Sequence, residues 1–145
     1  MGFSHSVPWW YWPLSGLALL WGLGACAAFF LATSAQGGDQ TTVIGLLAAV
    51  TAAGGTGARS AYVIWAQLSL AGGVALLLRS FWAVFAYFVA LPVLFFNGWF
   101  ALFSDSFLAS GVPWRILLGF FAALAVTGGW ACLAGFALFR GWMRR

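Results

Sequence analysis

Residues 61–103 read AYVIWAQLSLAGGVALLLRSFWAVFAYFVALPVLFFNGWFALF. Two apolar runs, 61–78 and 81–103, are parted only by Arg79-Ser80. A helix rises about 1.5 Å per residue and a bilayer's hydrocarbon core is about 30 Å thick, so each run is near or above the length needed to cross. An arginine is costly in hydrocarbon, which puts the join at a membrane surface. The stretch is expected to be a helical hairpin in a bilayer, and the rest of the chain must pack against it.

Composition points the same way. The chain has 145 residues, of which 64% are hydrophobic and 6% charged, with a mean hydropathy of +1.01. A soluble domain carries about 25% charged residues. Surface this apolar has to be covered by lipid, and the length suits a single membrane domain, 1–145. The formal charge of +4 comes from six arginines against Asp39 and Asp105, with no lysine or glutamate. These arginines lie at the ends of apolar runs and form no basic patch, so no nucleic-acid partner is expected.

Upstream of the hairpin, residues 14–33 form the expected first span. Small residues recur along it, with Ala18, Gly22 and Cys26 on one line and Gly24 and Ala28 on another. In lipid, helices associate by close backbone approach, which small-xxx-small spacing permits. Trp9, Trp10 and Trp12 stand around Tyr11 between two prolines and read as interface anchors. The LATSAQ that ends this run loosely resembles a cleavage site, but no positive stretch precedes it, so the segment is expected to be retained. After the polar turn SAQGGDQ, Thr41 or Thr42 can cap a helix that Gly54-Gly55 would stop. A helix over about 42–53 is too short to span and is expected to be interfacial or re-entrant.

Downstream, Pro113 and the anchor Trp114 open the fourth span, 116–139, followed by RGWMRR. It carries Gly119, Gly128 and Gly129; the second span carries Gly72-Gly73. The fold class expected is all-α: an integral membrane four-helix bundle with spans near 14–33, 61–78, 81–103 and 116–139. Arg79, Arg140, Arg144 and Arg145 then share one side, against Arg59 and Arg115 on the other. The positive-inside rule puts the first group, and both termini, in the cytoplasm.

The chemistry of catalysis is missing. The single histidine, His5, precedes the first span, and no span holds a carboxylate. Neither haem ligation nor a metal triad can be built from that, and no enzyme is expected. Cys26 and Cys132 read as small packing residues. Gln67, Asn97 and the Phe88 carbonyl freed by Pro92 are the polar groups inside the slab. They are expected to lock helices together by hydrogen bonds, with contact to a lipid, quinone or pigment as the sharper alternative; no cofactor of its own is expected.

VPWWYWPLSGLALLWGLGA and IWAQLSLAGGVALLLRSFWAVFAYF resemble segments of small four-helix bacterial inner-membrane proteins, sometimes labelled sugar-transporter-like. The shared features are the Pro-Trp start, the Leu-Trp pair, the Gly-Gly second helix and the Leu-Leu-Arg-Ser hinge. Where such proteins have an Asn after the first-helix Trp, this chain has Gly22. The resemblance implies a fold and a bacterial inner-membrane location, and no catalytic residue. The function expected is a non-catalytic accessory or structural subunit of a larger membrane complex, respiratory or photosynthetic, with lipids and other integral membrane subunits as partners. The alternative is a small-solute or lipid transporter acting as an oligomer, which calls for a polar-lined cavity around Gln67 and Asn97. Small residues occupy more than one side of the first and fourth helices, so at least one such face is expected to meet a partner, lipid or pigment.

Overall fold

The structure is a computed structural model; it describes residues 7–34, 55–102 and 114–143. Four helices make it up: α1 Tyr11–Ser34, α2 Gly55–Leu77, α3 Trp82–Leu102 and α4 Trp114–Phe139. All four are long and apolar enough to cross a membrane, and among the described residues there is no strand. The expected short helix over 42–53 lies outside the described residues.

The helices pack in chain order: α1 on α2, α2 on α3, α3 on α4. Their inward positions follow a four-three spacing. On α1 these are Tyr11, Ser15, Ala18, Gly22 and Ala25; on α2 Ala58, Tyr62, Trp65, Ser69, Gly72 and Leu76. Ala83, Tyr87, Ala90, Leu94 and Asn97 continue the pattern on α3. Small residues recur along these lines, and of the aromatics of α3 other than Tyr87, Phe85, Phe88, Phe95, Phe96 and Trp99 face out and are all exposed. A water-soluble bundle does the reverse. With lipid outside as apolar as the interior, burying large side chains gains nothing, and backbone approach becomes the source of attraction.

The bounds differ from expectation mainly at α2. It begins at Gly55, which has φ +66°, and not at residue 61. Its 23 residues reach about 34 Å, longer than a roughly 30 Å hydrocarbon core. The extra turn therefore has room to carry Arg59 out to the headgroups.

α2 and α4 end alike. Ser80 N–H donates to the Ala75 carbonyl and Arg79 N–H to Leu76; Trp142 N–H donates to Ala137 and Gly141 N–H to Leu138. Each is a Schellman cap, with a left-handed residue just past the helix. At α4 that residue is Gly141, φ +70°; at α2 it is Arg79, φ 56°.

Candidate functional site

The two caps meet. Arg79 Nε donates to the carbonyl of Trp142 at 2.6 Å, so the end of α2 is tied to the end of α4. The Trp142 ring, which is buried, packs edge-on against Trp10, Tyr11 and Phe136, with centroids 5.4, 6.0 and 5.4 Å away. Tyr11 is fully buried and its hydroxyl donates to the Leu76 carbonyl at 2.7 Å. The start of α1, the end of α2, the start of α3 and the end of α4 thus share one end of the bundle.

Tyr11, which the three tryptophans surround in the sequence, is a core residue. Trp10 is half-buried, its ring edge-on to that of Trp142. Both lie on the face that α2 and the α4 cap cover. Trp9 and Trp12 are exposed at this end, and Trp114 is exposed at the other. Arg140 is exposed, its guanidinium 5.2 Å from the centre of the Phe136 ring.

The chain has three tyrosines, and all three are buried and donate across a helix interface. Besides Tyr11, Tyr62 of α2 donates to the Ala25 carbonyl of α1 at 3.3 Å, and Tyr87 of α3 to the Ser69 carbonyl of α2 at 3.4 Å. A helix carbonyl has a second lone pair free for this. The reading by sequence missed these latches. The usable signal was register: Tyr11, Tyr62 and Tyr87 each fall on a four-three line of small residues.

The two intramembrane amides are not brought together. Asn97 is buried, and its Nδ2 donates to the Ala58 carbonyl at 3.3 Å, joining α3 to the first turn of α2. Gln67 is exposed on the outer face of α2. It lines a groove of about 510 Å³ with Leu70, Ala71, Val74, Leu78 and Trp82. Of the two amides expected to lock helices by hydrogen bonds, Asn97 does so among the described residues and Gln67 does not. Asn97 lies on the inward line of α3, whereas Gln67 lies off the inward line of α2.

The glycines divide in the same way. A Cβ built on Gly22 would fall 2.5 Å from the Leu70 backbone, and one on Gly73 2.7 Å from the Leu19 backbone. These two set the closeness of α1 and α2. Gly72 lies under the Tyr87 ring, and Gly98 under the Phe120 ring. By contrast, Gly24, Gly119, Gly128 and Gly129 have open space around them, and Ala28 is half-buried. Within the described part of the chain, a Cβ built on any of these glycines would meet no other helix.

Cys26 is half-buried beside the Tyr62 and Trp65 cluster, and Cys132 is exposed; both are free. Among the described residues no group of three His, Cys, Asp or Glu side chains gathers in one place. Ser69 Oγ and Thr127 Oγ1 are buried with no hydrogen-bond partner there. What the described arrangement does chemically is hold helices: every inter-helix hydrogen bond given above ends on a backbone carbonyl.

No family model, curated protein or solved structure matches the chain.

Proposed function

We propose that the chain is a non-catalytic accessory or structural subunit of a larger integral membrane assembly, with a respiratory or photosynthetic complex as host. It lies in a bacterial inner membrane with both termini and Arg79 in the cytoplasm, and a short interfacial helix follows α1. One observation carries the subunit reading. Gly22 and Gly73 show how this chain uses glycine, as a place where another backbone comes close. Gly24 on α1 and Gly119, Gly128 and Gly129 on α4 offer the same opening with no described helix of this chain in it. Glycine inside a helix costs about 1 kcal/mol relative to alanine, and a helix of a neighbouring subunit in those openings offsets that cost. Membrane lipid covers the aromatic outer face of α3.

Transport through a cavity lined by both amides is disfavoured, since Gln67 and Asn97 lie on different faces. The test is purification from native membranes in mild detergent, with identification of what accompanies the chain. Other integral membrane subunits should co-purify, and Gly24→Leu or Gly128→Leu should release them while the chain stays folded. A wild-type chain that always purifies alone, or variants that keep every companion, would overturn the reading.

A further inference from the structure

The outer face of α2 holds a polar group with nothing to bond among the described residues. Gln67 makes no hydrogen bond within the described chain and points into the groove beside Trp82. It stands twelve residues before Arg79 in the sequence, about 18 Å along the helix. With Arg79 at a membrane surface and a hydrocarbon core about 30 Å thick, Gln67 lies close to the middle of the bilayer. Phospholipid tails have no donor or acceptor to give it at that depth, and an unsatisfied amide in hydrocarbon is costly.

We propose that the α2 outer face is a homodimer interface, occupied by α2 of a second copy of this chain. The amide itself argues for the occupant. A glutamine side chain has two N–H donors and a carbonyl acceptor, so it is complementary to another glutamine. Two copies inserted the same way, related by a two-fold axis along the membrane normal, carry Gln67 at the same depth, and a two-fold interface pairs a patch with itself. The surroundings suit a helix. Ser60, Ile64, Gln67, Ala71, Val74 and Leu78 are all exposed and follow four-three spacing, the seam geometry of two parallel helices. Ala71, one turn from Gln67, leaves room for approach. One polar residue inside an otherwise apolar seam also fixes register, since a shifted pairing would strand both amides in hydrocarbon. The inference is separate from the subunit reading: Gly24 and Gly128 lie on α1 and α4, and neither enters this face.

The full chain carrying Cys26→Ala and Cys132→Ala is reconstituted alone in phosphatidylcholine–phosphatidylglycerol vesicles at high lipid-to-protein ratio. Ala71→Cys is added, and disulfide formation is driven with copper phenanthroline. A dimer band is expected from Ala71→Cys and not from Phe96→Cys, which lies on the exposed face of α3. Adding Gln67→Leu should cut the Ala71→Cys dimer at least tenfold, and Gln67→Asn should retain most of it. Both variants replace an outward residue, and circular dichroism checks that they stay helical. A chain that remains monomeric, equal crosslinking at positions 71 and 96, or indifference to Gln67→Leu would each overturn the proposal. So would a monomer in vesicles whose Ala71→Cys crosslinks in native membranes to a different polypeptide.

Discussion

Arg79 does two things that pull in opposite directions. Its left-handed backbone, φ 56°, costs a residue with a side chain about 1 kcal/mol relative to glycine. Its Nε recovers that through a charged hydrogen bond to the Trp142 carbonyl, of the kind worth about 1.5–3 kcal/mol. Arg79→Gly should therefore lose about 1 kcal/mol and Arg79→Ala about twice that, read from unfolding in mixed micelles with rising dodecyl sulfate. An alanine variant more stable than the glycine variant would contradict the cap. Thr127 presents the converse case. Its hydroxyl is buried without a partner, and valine has the same shape with no polar atom to desolvate. Thr127→Val should raise stability by about 1 kcal/mol, and a loss would mean that the hydroxyl has a partner after all.

Between helices, the close contact of α1 with α2 rests on two glycines that meet backbone and not side chain. Backbone cannot swing aside, so Gly22→Leu or Gly73→Leu should abolish the folded bundle, whereas Gly24→Leu should be tolerated. Yields of monodisperse protein after mild solubilisation compare them directly, and equal yields for Gly22→Leu and Gly24→Leu would remove the glycine crossing. The number and rough extent of the helices were legible in the sequence, because crossing a bilayer needs a certain length of apolar chain and little else. Which side faces in was not. Hydrophobicity carries no directional information when both sides of a helix are apolar, so Gly22 and Gly24 looked alike, as did Gln67 and Asn97. What separates them is register with the small residues and the tyrosines. Tracing Ala58, Tyr62, Trp65, Ser69 and Gly72 as one line would have left Gln67 outside it.

At the scale of the whole molecule, the end carrying Arg79 and Arg140 also gathers Tyr11 and Trp142. If that end lies in the cytoplasm, Ser80→Cys in a chain with Cys26→Ala and Cys132→Ala should react with an impermeant maleimide only in inside-out vesicles. Ser106→Cys should react only in right-side-out ones, and the opposite pattern would invert the topology. The joined caps also impose an order on biosynthesis. Arg79 and Tyr11 are translated well before Trp142, so the first three helices enter the membrane while the carbonyl and ring that complete this end do not yet exist. Until residue 142 arrives the three-helix intermediate has an unmatched guanidinium and a half-covered tyrosine at its surface. The bundle is thus fastened last at the point where its synthesis began.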